Sequence, residues 1–246
     1  MPTPGPALFL LGGIELRGVP SDQANRLLGQ SKVVALLAYL SLSPVGRHQR
    51  RDLLVGLLWP ELDQAHARAT LRKAVHTVRT VLGATILIAR GDEELSLAPD
   101  ALWCDAAVFN ALADSGRLAQ ALELYRGDLM PGFHLPGCGE FGMWLEDQRM
   151  AAVERAAAAS WALAERLEED KSFSLAGNWA RRAVRYSWSD ERVLRRAMKM
   201  LERLGDRAGA LQLFDSVARR LRSELEAEPS PETVALAATM RAGEPR

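Results

Sequence analysis

Basic side chains are concentrated in one short stretch of the sequence. The segment HARATLRKAVHTVRTVLG, residues 66–83, carries four cations and no acid, although 31 Lys and Arg residues balance 31 Asp and Glu residues in the whole chain. The four cations are Arg68, Arg72, Lys73 and Arg79. A local cluster of this kind attracts polyanions, above all the phosphates of nucleic acid. The same charges also suit a solvated helix face, and this stretch alone favours that second interpretation.

The sequence shows no complete set of side chains for a metal site or for catalysis. His134 and Cys138 have a spacing that suits two metal ligands, but no four-ligand set accompanies them. Cys104 and Cys138 form no CxxC pair and are expected to be reduced and buried. The sequence contains no GxxxxGK[ST], GxSxG or HExxH motif. We therefore expect a protein that is not an enzyme and has no metal and no cofactor.

The basic stretch is expected to lie on the third of three helices between two β-hairpins. Short apolar runs around glycine predict the hairpins, and helical periodicity ended by Pro or Gly predicts the helices. The first hairpin is expected at 7–20, the helices at 31–43, 47–60 and about 64–82, and the second hairpin at 85–99. The turn WPELDQA joins the last two helices, as in a helix-turn-helix.

The third helix has one apolar face and one polar face. At about 100° per residue, one narrow arc is entirely apolar and is expected to pack against a core. This arc consists of Leu71, Val75, Val78 and Leu82. The opposite face combines short residues such as Ala69 with longer polar ones, which permits close approach to the floor of a DNA major groove.

Two groups of polar residues on this helix are expected to make different contacts with DNA. Side chains on the polar face are candidates for contacts with base edges. These residues are Lys73, His76, Thr77 and Thr80. The arginines along the edge of the apolar arc are candidates for contacts with phosphates. These are Arg68, Arg72 and Arg79.

Cations on the neighbouring elements extend this surface. Arg47, Arg50 and Arg51 are expected to begin the second helix, where backbone amides also favour phosphate. Arg90 is expected at the tip of the second hairpin, where a wing would touch the minor groove or the DNA backbone. Three acids at positions 92–94 are expected to repel phosphate, so contact between wing and DNA stays open.

Beyond Pro99 the sequence predicts almost nothing but helix, from 105 to 228. GRLAQALELY at 116–125 matches GDRAGALQLF at 205–214, and a weaker copy begins 34 residues before the second, at Lys171. A period of about 34 residues is that of tetratricopeptide-type helical hairpins, although any two Ala-rich amphipathic helices share some likeness. We therefore predict two domains, a winged helix at 1–98 and a helical repeat domain at 99–246.

The N-terminal apolar run gives no indication of a membrane segment. It is too short to span a bilayer, and no basic residue precedes it as in a signal peptide. We therefore expect a cytoplasmic protein that does not contact membranes.

Several longer motifs together resemble the SARP-type bacterial transcriptional activators. These motifs are LLGGIELRG, LLAYLSLSP, RRDLLVGLLWPELDQAHARATLRKAVHTVRTVLG, LWCDAAVFNAL, ALELYRGDLMPGF, FGMWLEDQR and GDRAGALQLFDSVARRLRSELEAEPSPET. In that family a response-regulator-type winged helix precedes a bacterial transcriptional activator domain, an all-helical module of tetratricopeptide type. The resemblance extends from about Leu8 to Leu236. It implies a mainly α fold, with a winged helix-turn-helix and small β-hairpins followed by a helical repeat.

The resemblance also implies sequence-specific binding to promoter repeats and recruitment of RNA polymerase. It puts the recognition helix at 65–82. In that helix it implies base contacts for Arg72, Lys73, His76 and Thr77 and a phosphate contact for Arg79. The family often has Pro-Arg-Lys at the start of its first helix, where LGQSK keeps only Lys32.

Two functions from different classes follow from the sequence. The first is a transcription regulator, an activator in the family's sense, that binds double-stranded promoter DNA and RNA polymerase, with a second copy of the chain as a further candidate partner. The second is a protein-interaction adaptor whose winged helix does not bind DNA, which the zero net charge, the acidic wing and Gln30 favour. A continuous positive stripe across the third helix and the start of the second would favour DNA, and an interrupted one the adaptor.

Overall fold

Helices account for most of the structure, a computed structural model that describes residues 5–44 and 46–243. In chain order the elements are β1 (Ala7–Phe9), β2 (Glu15–Arg17), α1 (Ser21–Leu28), α2 (Ser31–Leu42), β3 (Gln49–Arg50), α3 (Arg51–Leu58), α4 (Gln64–Leu82), β4 (Leu87–Arg90), β5 (Glu94–Leu97), β6 (Trp103–Cys104), α5 (Asp105–Asp114), α6 (Leu118–Leu124), α7 (Gly139–Glu169), α8 (Phe173–Tyr186), α9 (Glu191–Arg203), α10 (Arg207–Leu225) and α11 (Pro231–Ala242). The predicted fold class, a mainly α chain with a winged helix and a helical repeat, is confirmed.

The described residues form two compact units. The first comprises the described residues up to 115 together with 123–152, and the second comprises 116–122 and the described residues from 153 onward. The boundary expected between 98 and 99 does not coincide with this division, because 99–115 and 123–152 belong to the first unit. The division of the sequence into two modules between residues 98 and 99 stays a prediction.

The predicted N-terminal hairpin is present, and a third strand joins it. β1 pairs with β2 in antiparallel register and with β6 in parallel register, so the strand order is β2-β1-β6. Gly12 in the hairpin turn has a φ of +80°, and an added Cβ would lie 3.1 Å from the backbone of Arg126. Both the backbone angle and the close approach therefore require glycine at this position.

Four helices, rather than the three expected, lie between the two hairpins. The additional helix is α1, which buries only Ala24 and Leu27 and therefore has too few apolar positions to show a helical period. The other three predicted helices correspond to α2, α3 and α4.

The predicted starting position of the second helix is wrong. Helix α3 begins at Arg51, because Gln49 and Arg50 are extended and pair with Leu95 and Glu94 of β5. The backbone N–H of Arg51 also donates to the carbonyl oxygen of Glu93 over 2.8 Å. Arg47 and Arg50 therefore precede α3 instead of forming its first turn.

The second predicted hairpin is confirmed as β4 and β5. Together with β3 it forms a three-stranded sheet of order β3-β5-β4, with Arg90 opposite Glu94 at the turn end. We call this hairpin the wing. Because β3 directly precedes α3, the sheet ties the wing to the start of that helix.

The carboxylate of Asp105 joins the first residue of α5 to the segment that directly follows β1. It is 1% exposed and accepts hydrogen bonds from the backbone N–H groups of Leu10 and Leu11 over 2.7 and 3.1 Å. It also accepts from the N–H of Ala106. Burial raises the pKa of the Asp105 carboxyl, while these N–H donors lower it. The start of α5 is therefore part of the same core as the N-terminal hairpin.

Residues 125–152 complete the first unit. The guanidinium of Arg149 donates to the carbonyl oxygens of Leu129, Met130 and Phe133 and so fixes the loop before α7. Cys138 is buried in this loop, and its thiol donates to the carbonyl oxygen of Leu58 over 3.4 Å. The described residues contain no group of three metal-ligating side chains.

The second unit contains the helical repeat. Helices α8 and α10 begin at 173 and 207, which gives the predicted period of 34 residues. Each presents a pair of small buried residues in its first turns, Ala176 and Gly177 in α8 and Gly209 and Ala210 in α10. Small residues let neighbouring helices approach closely, as expected for this kind of repeat. The repeat prediction is thereby confirmed.

The last helix, α11, was not anticipated from the sequence. Pro231 occupies its first turn, a position that suits proline. The carboxylate of Glu191 accepts from both the N–H and the hydroxyl of Ser230, and Arg195 donates to Ser230 and Thr233. These contacts explain the structural role of the EPSPET motif.

No helix among the described residues is long and apolar enough to cross a membrane.

The buried Cys104 thiol gives a first testable prediction. Burial raises its pKa to about 12, and the thiolate is the form that reacts with alkylating agents. We expect native protein at about pH 8 to resist iodoacetamide and to gain two adducts by intact mass only after unfolding in guanidinium. Rapid labelling of Cys104 in the folded protein would contradict the burial of this side chain.

Candidate nucleic-acid interface

Helix α4 is fixed at both ends and along one face. The side chain of Asp63 accepts from the backbone N–H groups of Ala65 and His66 over 3.0 and 3.1 Å, which caps the N-terminus. Gly83 ends the helix with a φ of +111°. The helix packs against α1, α2 and α3. Its buried face consists of Ala67, Leu71, Ala74, Val75, Val78 and Val81, while Leu82 is half-buried.

The opposite face of α4 contains the predicted base-contacting residues. Three threonine hydroxyls donate to carbonyl oxygens one turn earlier in the helix, Thr70 to His66, Thr77 to Lys73 and Thr80 to His76. Their oxygens therefore keep free lone pairs as acceptors. Exposed side chains on this face are Arg72, Lys73, His76 and Thr80, while Arg68, Thr77 and Arg79 are half-buried.

Two grooves border this exposed face, on opposite sides of α4. We call the first the arginine groove; it has a volume of about 510 Å³ and is lined by Arg51, Arg68, Leu71, Arg72, Val75, His76, Arg79 and Asp92. The second has a volume of about 490 Å³ and is lined by Lys73 and Thr77 of α4 together with Trp59, Lys32 and residues 134–136. The predicted site residues of α4 are thus divided between the two grooves, except Thr80, which lines neither of them.

Arg68 is engaged by carboxylates on two neighbouring elements. Its guanidinium lies 2.7 Å from Asp52 of α3 and 3.0 Å from Glu93 of the wing. These hydrogen bonds raise the pKa of Arg68, with Glu93 the first cause and Asp52 the second, and Arg68 lowers the pKa of Asp52. The side chain connects α3, α4 and the wing, a role that its sequence position did not indicate.

The three wing acids each face a cation. Glu93 pairs with Arg68, and Glu94 lies 3.6 Å from the guanidinium of Arg90. Burial lowers the pKa of Arg51, and the charge of Asp92 acts on that guanidinium at longer range in the opposite direction. The repulsion expected between these acids and phosphate is therefore reduced by their own partners.

The remaining basic residues of the surface have no carboxylate partner. Within the described part of the chain, no Asp or Glu oxygen lies within 4.0 Å of their charged nitrogens. These residues are Arg47, Arg50, Arg51, Arg72, Lys73 and Arg79. Arg79 uses one terminal nitrogen to donate to the carbonyl oxygen of Leu87 in the wing over 2.9 Å.

The position of Arg51 in this surface could not be predicted from the sequence. It was expected only as part of an arginine-rich helix start, yet it lies in the arginine groove beside three arginines of α4. The hydrogen bond between Arg51 N–H and Glu93 brings the wing and α3 together at this point. A pairing between residues 42 positions apart leaves no periodic signal in the sequence.

A comparison with protein families matches the C-terminal part of the chain. The model of the bacterial transcriptional activator domain matches residues 104–241, more than half of the 246 residues. The chain belongs to the bacterial transcriptional activator domain family. This is a family of transcription regulators, so the SARP-like character expected from the sequence is confirmed for this activator domain.

A structural match to a solved protein covers nearly the whole chain. A solved structure of Mycobacterium tuberculosis EmbR in complex with low affinity phosphopeptide is similar, with a TM-score of 0.62 and 22% sequence identity. The match covers 98% of this chain and 66% of the EmbR chain, so this chain spans about two thirds of its length. At this identity the likeness shows a shared fold. No curated protein sequence matches the chain.

The candidate DNA-contacting residues lie outside the activator-domain match. All of them lie between Arg47 and Arg90, whereas the match begins at 104. A DNA-binding function for this region therefore depends on its own geometry and charge.

Proposed function

We propose that this activator-domain protein regulates transcription by binding specific DNA sequences through α4. One observation carries the proposal: α4 presents Arg72, Lys73, His76 and Thr80 to solvent with no carboxylate partner among the described residues. Asp52, Glu93 and Glu94 nearby already pair with cations, so the exposed charge on this face of α4 is positive. This is the charge pattern that favours nucleic acid.

The shape of α4 suits a major groove. An α-helix with its side chains is about 10–12 Å across, and the major groove of B-DNA is about 12 Å wide. The helix has 19 residues, and only one face of it is needed for the core. The other face is free to approach base edges over several turns.

The exposed residues of α4 take two roles in this proposal. Lys73, His76, Thr77 and Thr80 contact bases, because they lie along the centre and far side of the exposed face. Arg72 and Arg79 contact phosphates on the wing side, and Arg72 also has the reach for a guanine edge.

The surroundings of α4 extend the positive surface. Arg47 and Arg50 are exposed just before α3 and contact the DNA backbone in this proposal, as does Arg90 at the wing. Asp52 lies in the first turn of α3, and its pairing with Arg68 reduces the negative charge between α3 and α4. This pairing supports DNA binding over the adaptor function.

Recruitment of RNA polymerase is also part of the proposal. The family is named for transcriptional activation, and its matched domain comprises residues 104–241. We propose that this domain contacts the polymerase once the winged helix is bound to promoter DNA. Pairing of two copies on repeated sites stays a further prediction.

Selection of bound sequences from random double-stranded DNA tests the proposed function. We expect a defined motif to be enriched, and its binding constant to fall steeply with salt because cations on α4 replace counterions at phosphates. Enrichment of no sequence over repeated rounds would contradict DNA reading and would favour the protein-interaction adaptor.

Arg68 gives a prediction that separates positioning from direct contact. In this structure the side chain pairs with both Asp52 and Glu93, so Arg68→Met leaves two carboxylates without a cation beside the DNA-binding face. We expect Arg68→Met to weaken binding of the selected DNA about 10-fold in an anisotropy titration, by repulsion of phosphate. In an Asp52→Asn and Glu93→Gln background, the same substitution is expected to change affinity little.

A double-mutant cycle decides between the two roles of Arg68. Equal losses in both backgrounds would mean that Arg68 touches the DNA itself, as its sequence position suggested. Melting curves of all four proteins check that the wing sheet remains folded.

A further inference from the structure

The arginine groove contains more cationic donors than acceptors to satisfy them. Four guanidinium groups line it, from Arg51, Arg68, Arg72 and Arg79, and Asp92 is the single acid among its lining residues. Arg68 is occupied by Asp52 and Glu93, so its donors are already used. The other three arginines keep donors available.

Two of these donors are buried and have no hydrogen-bond acceptor. The Nε atoms of Arg51 and Arg79 are shielded from solvent, and no acceptor lies within hydrogen-bond distance of either in the described structure. The terminal nitrogen of Arg79 is held by Leu87, which fixes the direction of this side chain. Buried polar groups are nearly always paired, so a pair of unmatched donors indicates a missing acceptor.

Electrostatics in the groove also favours an added anion. Burial lowers the pKa of Arg51, and the positive charges of Arg79, Arg68 and Arg72 lower it further, while Asp92 raises it. Like charges at short range repel, and a bound anion would relieve this repulsion.

We propose that the arginine groove binds one phosphate group, held by Arg51, Arg72 and Arg79. Phosphate offers several acceptor oxygens in the geometry that guanidinium groups match, whereas a carboxylate offers two. The proposal rests on the proposed function. There, this phosphate belongs to a DNA strand that borders the major groove in which α4 lies. A free nucleotide is the other source of the same chemistry.

A first experiment tests the phosphate site without DNA. The full-length protein is titrated with inorganic phosphate, with sodium chloride at equal ionic strength as the reference, and the arginine Nε–H signals are followed by NMR. We expect saturable shifts for Arg51 and Arg79 and none for the exposed Arg185, which serves as the internal control. Shifts of Arg51 and Arg79 no larger than that of Arg185 would overturn the proposal.

A second experiment asks whether the phosphate belongs to DNA. Arg51→Gln is expected to lower affinity for the selected DNA about 10-fold, since a charge-assisted hydrogen bond is lost. Arg51→Lys is expected to recover part of the loss, and Arg185→Gln to bind as the wild type does. Replacing the phosphates of the site one at a time with methylphosphonate should find one position that weakens the wild type but not Arg51→Gln.

The outcomes separate this inference from the proposed function. Phosphate-dependent shifts without enrichment of any DNA sequence would support the groove as a phosphate site for a free nucleotide, while the DNA-binding proposal fails. Sequence-specific binding that Arg51→Gln leaves unchanged would overturn the groove proposal alone. Unchanged melting temperatures of the Arg51 variants exclude loss of folding as the cause.

Discussion

Replacing Arg72, Lys73 and His76 of α4 together with alanine is expected to lower affinity for the selected DNA at least about 100-fold, because each good base contact contributes about 1–3 kcal/mol of discrimination. All three side chains are exposed and none supports the core, so the fold is expected to persist. The slope of log K against log salt should fall by about 1.8, since two cations are removed. Fluorescence anisotropy with labelled DNA at several salt concentrations measures both quantities.

A variant with matched charge serves as the control for this prediction. Arg185 and Lys199 are exposed cations of the second unit, and their replacement with alanine removes the same two charges. We expect this control to bind the selected DNA with unchanged affinity. Equal weakening in both variants would mean that overall charge, and not α4, determines binding.

Replacing Asp105 with alanine is expected to destabilise the first unit by about 3 kcal/mol, because each buried N–H left without an acceptor costs about 1–3 kcal/mol. Three such groups, the N–H of Leu10, of Leu11 and of Ala106, lose the side-chain acceptor that the structure describes for them. For a chain of this size the melting temperature should fall by about 10 °C. Thermal unfolding followed by circular dichroism provides the measurement.

Two further variants make the Asp105 prediction specific. Asp147→Ala removes an exposed carboxylate from the same unit and is expected to leave the melting temperature unchanged. Asp105→Asn keeps one acceptor oxygen and should give an intermediate loss. If Asp105→Ala melts as the wild type does, the buried carboxylate does not hold the segment that follows β1 to α5.

Helix α4 could be predicted from the sequence almost residue by residue. Leu71, Val75 and Val78 repeat with the period of a helix, and all three are buried. Gly83 marks its C-terminal end, because this kind of cap depends on a local backbone angle. Elements determined by local chemistry are therefore visible in a single sequence.

Elements that depend on distant partners could not be predicted. Strand β6 has only two residues, and it exists because Trp103 and Cys104 pair with Ala7 and Leu8. The extended conformation of Arg50 has the same origin, since it pairs with Glu94. Neither segment has an alternation of polar and apolar residues long enough to indicate a strand.

The candidate site could be predicted in residue type but not in arrangement. Arg68 and Arg79 were both expected to contact phosphate, and the difference between them depends on Glu93 and Leu87, which approach only in the folded wing. The unmatched Nε groups of Arg51 and Arg79 are likewise a property of packing. Charge is visible in the sequence, whereas the pairing of charges is not.

The pairing of β6 with β1 limits how such proteins exchange parts during evolution. The match to the activator domain begins at Cys104, the second residue of the two-residue strand that completes the N-terminal sheet. A gene fusion that joined a foreign winged helix at this position would combine β1 of one protein with β6 and Asp105 of another. Recombination is therefore expected to succeed between related chains that preserve this sheet, and the two modules should be inherited together.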